Sequence, residues 1–233
     1  SLIPTYIKFE KISCTIKHNK IYSYAISKTG HLYYQIIPTS TQKTHNSRSV
    51  WTKFPDNYMY KDVSVAVGKL QNLYDTDIYV LAVRIDNIDD LTDTGKGGSI
   101  HFQRISEGNS PSKDWIKLPG ELRNISIDII EDWGAYLCGT ASNDRIYYIL
   151  IQKQDEFNNR NWTQIAGGLR HIVVKHDFDI GNAGNLVLGV NSAGSIYDNN
   201  PSSWQRILSG KDRTNGKKIT QLAYDVNQTT KEG

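Results

Sequence analysis

An aromatic ring followed three residues later by a bulky apolar side chain recurs along this chain. The copies are Tyr6-Ile-Lys-Phe9, Trp51-Thr-Lys-Phe54, Trp115-Ile-Lys-Leu118, Trp162-Thr-Gln-Ile165 and Trp204-Gln-Arg-Ile207. An indole can do two kinds of work. Its face can stack on the apolar side of a pyranose ring, or it can fill space inside the protein with its N–H satisfied by a neighbour. Both readings stand at the level of the sequence. A second set of flat rings, Tyr33, His101, Tyr147 and Tyr197, precedes the tryptophans in equivalent places. A phenol or an imidazole there adds a hydrogen bond to a flat face, or simply packs.

Other chemistries lack their residues. No Gly-x-Ser-x-Gly is present, and Gly95-Lys-Gly-Gly98 has neither the spacing nor the following helix of a phosphate-cradling loop. The carboxylates Asp86, Asp89, Asp90 and Asp93 lack the spacing and closing Glu of a helix–loop–helix calcium site, so they read as a solvated loop. His18, His31, His45, His101, His171 and His176 contain no pair with metal-ligand spacing. A glycosidase built of repeated strands would place two acids on the inner ones. Here Ser, Cys, Thr and Ala fill those places, and Asp128 alone breaks the pattern. The reading is a binding protein rather than an enzyme, with no metal and no cofactor.

The elements that must hold these rings are strands. Successive aromatic anchors are 45, 64, 47 and 42 residues apart. After each comes an apolar run, as in Ile12-Ser-Cys-Thr-Ile16, Val63-Ser-Val-Ala-Val67, Ile125-Ser-Ile-Asp-Ile129, Ile172-Val-Val174 and Ile219–Tyr224. A second run follows in the first four units (Tyr22–Ile26, Ile78–Val83, Ala135–Cys138, Leu186–Val190). A third then carries the Tyr/His slot, and the next anchor opens the fourth. Period-2 alternation puts Tyr33, His101, Tyr147 and Tyr197 on one face and Tyr34, Phe102, Tyr148 and Asp198 on the other. Four short strands per ~45 residues is the signature of a β-propeller blade. No segment has the apolar spacing of a helix longer than two turns. The 64-residue interval comes from an insertion, Asp86–Gly98, read as a surface loop.

The fold expected is therefore all-β: a propeller of four-stranded blades with about five units, forming one domain over residues 1–233. The fifth unit has its first strand and only nine residues more. Closure is expected either from Ser1–Phe9 as the outer strand of the last blade or from another chain, which would make a homo-oligomer. Composition fits this reading. Fourteen Tyr, five Trp and five Phe are too many aromatics for an unfolded tail. The net charge of +3 is spread thinly, against a nucleic-acid surface. No apolar run approaches the ~20 residues of a membrane span, so no membrane insertion is expected. Cys14 and Cys138, on strands of non-adjacent blades, are expected to be free and buried.

The stretch Trp162-Thr-Gln-Ile-Ala-Gly-Gly-Leu, then Leu188-Gly-Val-Asn-Ser-Ala-Gly-Ser-Ile-Tyr197, then Ser203-Trp-Gln-Arg-Ile207 resembles the tectonin repeat, and Trp115-Ile-Lys-Leu-Pro-Gly matches the opening of that repeat. The resemblance implies a sugar-binding propeller, a lectin whose partners are glycans or glycoproteins. Its sites would be shallow grooves between blades, bordered by Trp115, Trp162 and Trp204, with Tyr147, Tyr197 and Asn191 as polar contacts. It also suggests a methylated or deoxy sugar such as fucose, in keeping with few charged residues around the slots. The alternative is a propeller scaffold for protein–protein interaction. Three Asn-x-Ser/Thr triplets (Asn124, Asn161, Asn227) lean toward a secreted or cell-surface location and leave the cytoplasm open. A chain that starts at Ser1 with Met59 as its one methionine is expected to be processed or trimmed.

Overall fold

The structure is a computed structural model that describes residues 7–39, 50–70, 73, 76–93, 95–106, 108–130, 134–153, 156, 161–174, 187–200, 203–209, 219 and 222. β-branched and aromatic runs, broken by polar turns, form sixteen strands in chain order. They make four sheets, each an antiparallel meander of four consecutive strands. The first sheet holds β1 (Phe9–Lys17), β2 (Lys20–Ser27), β3 (Leu32–Pro38) and β4 (Thr52–Lys53). The second holds β5 (Met59–Gly68), β6 (Asp77–Ile85), β7 (Gly98–Ser106) and β8 (Ile116–Leu122). The third holds β9 (Asn124–Ile130), β10 (Gly134–Thr140), β11 (Arg145–Ile151) and β12 (Thr163–Gly168), and the fourth β13 (His171–Val174), β14 (Val187–Val190), β15 (Ile196–Asn200) and β16 (Ser203–Leu208). These are blades of a β-propeller, with the first strands β1, β5, β9 and β13 adjacent in that order. The expected surface insertion carries a 3-10 turn, Ile88–Leu91.

Two layers of contact join the blades. Apolar side chains interleave between them, and Tyr79, Leu81, Ile100, Leu118, Ala135 and Leu137 are sealed between blades two and three. Along the inner strands, side chains of one blade then take up backbone N–H groups of the next. Ser13 Oγ accepts from Val65 N (3.0 Å), Ser64 Oγ from Ile127 N (3.1 Å), and Ser126 Oγ from Val174 N (3.0 Å). Two residues earlier, Asp62 Oδ2 accepts from Ile125 N (3.0 Å) and Asn124 Oδ1 from Ile172 N (2.7 Å). Each of these N–H groups lies where a sheet would otherwise leave a bare edge, so the bonds satisfy donors that burial would make costly. Asn124 is 5% exposed and bridges two blades, which removes the first of the three Asn-x-Ser/Thr triplets from the surface.

The same pattern carries on past the fourth blade. Leu222 N donates to His171 Nδ1 at 3.4 Å, and His171 holds the place of Asn124 and Asp62. Leu222 N thus repeats on His171 the contact that Ile172 N makes with Asn124, while the rest of the expected run Ile219–Tyr224, Ile219 apart, lies outside the described residues. Phe9, expected in an outer strand, instead begins the inner strand β1 and packs on Trp51 (ring centroids 4.6 Å) and Tyr33 (5.8 Å). The other residues expected to close the ring, 1–6 and 223–233, lie outside those described.

Cys14 and Cys138 are both free, and Cys138 is fully buried. Cys14 corrects the expectation, because it is exposed. It lies on the row of β1 that would face a preceding blade, and no described blade stands there. The insertion after β6 is held by a cation of the chain itself. The buried Lys61 ammonium donates to the carbonyls of Asp93 (2.7 Å) and Lys96 (2.6 Å), while Lys96 pairs with Asp90 at 2.8 Å.

Candidate functional site

Trp51, Trp115, Trp162 and Trp204 each stand just before or at the start of a fourth strand, and the register of the third and fourth strands sets what lies beside them. Tyr147 pairs with Gln164, Tyr197 with Arg206, His101 with Lys117 and Tyr33 with Lys53. Paired residues share a face, and so do residues two apart. The slot ring, the indole and the residue two places after the indole therefore line the same side of each blade. In blades two to four that side faces the preceding blade. Trp115 packs against the cluster between blades one and two, Trp162 with Tyr147 between two and three, and Trp204 with Tyr197 between three and four. All three indoles remain partly exposed.

A bulge positions the indole. The register slips between Ser99 and Ile100 and between Arg145 and Ile146, leaving Pro119-Gly120 and Ala166-Gly167 outside the regular pairing. The carbonyls freed there accept the indole N–H of the next blade. Trp162 Nε1 donates to Pro119 O at 2.8 Å and Trp204 Nε1 to Ala166 O at 2.5 Å. Gly120 and Gly167 take φ of +80° and +118°, and a side-chain carbon at Gly167 would stand 2.9 Å from Trp204 Nε1. The first groove solves the same problem differently. Asp56 holds the place of those glycines, and its Oδ2 accepts from both Trp115 Nε1 (2.9 Å) and Tyr60 Oη (2.8 Å). In all three grooves the N–H is committed to the protein, so the ring offers a ligand its face and outer edge.

The polar contacts differ between grooves. In the first, His101 Nε2 bonds Ser99 Oγ at 3.0 Å, and its ring meets Trp115 edge-on at 6.5 Å. Burial, then the positive charges of Arg84 and Lys117, bring its pKa down to about 4, so it is neutral near pH 7. The Arg84 guanidinium lies over the Tyr58 ring, 3.5 Å from its centre. The second groove holds Tyr147, Gln164 and Arg145, and the third Tyr197 and Arg206. Gln164, Arg145 and Arg206 are exposed.

Of the six residues named from the sequence, Tyr147 packs in one cluster with Trp162 and Tyr197 in another with Trp204, while Trp115 has His101 beside it rather than a tyrosine. Asn191 is placed in the β14–β15 turn, where its Oδ1 accepts from Ala193 N and Ser195 N, both at 3.0 Å. Its oxygen shapes a hairpin. Lys117, Gln164 and Arg206 were missed from the sequence, although the signal was present as a long polar residue two places after Trp115, Trp162 and Trp204. Few charges were also expected near the slots, whereas Lys117, Arg84, Arg145 and Arg206 all border them. Among the described residues no cluster of His, Cys, Asp and Glu is arranged to hold a metal.

Repeated four-stranded blades with an aromatic groove at each junction define a propeller built from one small repeat. The chain belongs to the Tectonin domain family, whose model matches residues 17–228. No curated protein matches the sequence significantly. Among solved structures it is similar to a six-bladed fucose-recognising lectin of Aleuria aurantia (12% identity, TM-score 0.48, 83% of this chain and 59% of that one). A mercury-derivative form of the fucose-specific lectin from the same organism gives 14%, 0.47, 82% and 58%. Apo AztD from Citrobacter koseri gives 14%, 0.39, 89% and 62%. The chain thus spans about three fifths of the length of these structures.

Proposed function

We propose that this protein is a lectin that binds glycans in the grooves between its blades. The observation that carries the reading is the recurrence, at three junctions, of a partly exposed indole beside a Tyr or His slot and a long hydrogen-bonding side chain. A flat apolar face flanked by donors matches a sugar ring, which has one C–H face and a rim of hydroxyls. Membership of the Tectonin family supports it, since tectonin-type proteins resemble sugar-binding propellers. A single shallow groove of this kind binds at about millimolar strength, so useful affinity would come from several grooves engaging one glycan-bearing surface. The cationic or amide residue two places after Trp115, Trp162 and Trp204 suits neutral sugars, as a donor to hydroxyls. A deoxy or methylated sugar such as fucose and a secreted or cell-surface location belong to the same proposal. A glycan array tests it. Binding to at least one carbohydrate class, weakened by Tyr197→Phe and by Arg206→Ala in a protein that still folds, is the expected result. An array with no signal, together with capture of a protein partner through the same grooves, would favour a scaffold.

A further inference from the structure

The three grooves are not equal copies. Backbone pairing sets Arg84 opposite Ser99 in blade two, Ala141 opposite Arg145 in blade three, and Asn191 opposite Ser195 in blade four. Each of these pairs lies two residues from the pair that carries the slot ring, Ala82 with His101, Gly139 with Tyr147 and Gly189 with Tyr197, so it shares the groove face. With the residue two places after the indole added, the second and third grooves each present one cation at these positions, Arg145 and Arg206. The first presents two, Arg84 and Lys117. Neither is in an ion pair with a carboxylate among the described residues. One cation serves a sugar hydroxyl as a donor, but two unpaired cations on one face leave positive charge for a ligand to neutralise.

The surroundings hold that charge in place. Arg84 stacks on Tyr58, whose backbone N–H donates to Asp56 Oδ1 at 3.2 Å. Asp56 also anchors Trp115 and Tyr60, so its own carboxylate is spent on three donors of the protein. At His101 the positive charges of Arg84 and Lys117 each act more strongly than the negative charges of Asp56 and Asp86. The hairpin that carries Arg84 is also the long one, whereas short turns join β10 to β11 and β14 to β15. Its Ile88 lies against the turn of blade one, where a side-chain carbon at Gly30 would stand 3.6 Å from Ile88 Cδ1, and Leu91 packs on the cluster between blades one and two. The insertion thus reaches across this junction beside Arg84, and the water it displaces strengthens a charge contact there. We propose that the groove between blades one and two binds a sugar that carries an oxyanion, a carboxylate or a sulfate. Arg84 and Lys117 hold the charged group, and Trp115 takes the apolar face of the ring. This rests on the reading of the grooves as sugar sites and narrows it for one of them.

The test presents the full chain with surfaces bearing glucuronic acid, N-acetylneuraminic acid or glucose 6-sulfate, each beside its methyl ester or unsulfated counterpart. At least one charged sugar should bind at least about tenfold more tightly than its uncharged partner near physiological salt, and the acid or sulfate arm names the oxyanion. Arg84→Gln with Lys117→Gln should abolish that preference. Lys69→Gln with Lys153→Gln removes the same charge at exposed places on the opposite ends of their blades and should leave the preference intact. Lys117→Gln alone, at an exposed position, should leave urea unfolding unchanged and still weaken the charged sugar at least about threefold. Equal binding of charged and uncharged partners would overturn the proposal, as would equal losses in the two double variants, which would show unspecific attraction. Binding of neutral sugars without a preference for charged ones would sink this proposal and leave the lectin reading standing. Binding of no carbohydrate at all would remove both.

Discussion

Alanine at Gly167 tests whether the bulges place the indoles. Gly167 sits at φ +118°, outside the left-handed well that other residues tolerate, so a Cβ there costs about 1–3 kcal/mol in backbone strain. The added carbon also stands 2.9 Å from Trp204 Nε1 and 3.3 Å from its Cδ1. The indole is tied by its N–H to Ala166 O on the same bulge, so it moves only by giving up that bond, which contributes about 1 kcal/mol. The sum is about 2–4 kcal/mol, and the Trp204 ring shifts in its groove. Gly120 is the control. Its φ of +80° is close to the left-handed well, and a Cβ would find Trp162 Cδ1 at a comfortable 3.8 Å, so alanine should cost about 1–2 kcal/mol. Urea unfolding followed by tryptophan fluorescence measures both, and Gly167→Ala should lose at least about 1 kcal/mol more than Gly120→Ala. Equal losses, or the reverse order, would refute the account of how the bulge seats the ring.

Ser64→Ala and Ser126→Ala each strand a buried backbone N–H of the next blade, and each should lower unfolding free energy by about 1–3 kcal/mol in urea titration. A loss below about 0.5 kcal/mol would show that the inter-blade hydroxyls are dispensable. Acid should weaken the fold through His101 and His171, both held down to about 4 chiefly by burial. Their neutral forms belong to the folded state, so the stability they contribute is whole above about pH 6.5 and drains away as pH falls toward 4, by up to about 3 kcal/mol each. His171 faces Asp62, Lys11 and Arg123, and its protonation would also turn Nδ1 from an acceptor into a donor against Leu222 N. His101→Gln combined with His171→Gln should flatten stability between pH 6.5 and 4.5, and an unchanged slope would count against both assignments.

What the sequence settled by itself is what local rules govern. Alternation in Ile125-Ser-Ile-Asp-Ile129, the aromatic anchors and the polar turns depend on near neighbours, so the apolar strand runs, their grouping in fours and the opposite faces of Tyr147 and Tyr148 could be read directly. Tyr148, on the face opposite Tyr147, indeed stacks on Tyr136 at 5.5 Å. Only the tertiary structure decided which atom takes each indole N–H, because the carbonyls of Pro119 and Ala166 become free only where the third and fourth strands slip out of register. It also decided that Lys117, Gln164 and Arg206 join the grooves, since cross-strand pairing is invisible in a linear pattern until the register is known. The same holds for Cys14 and Asn191. A cysteine in the run Ile12–Ile16 reads as buried, as its counterparts Val65 and Ile127 are, whereas no described blade stands before Cys14 and it is exposed. Asn191 reads as a ligand contact beside Tyr197, and it spends its oxygen on the two backbone N–H groups that close its own turn.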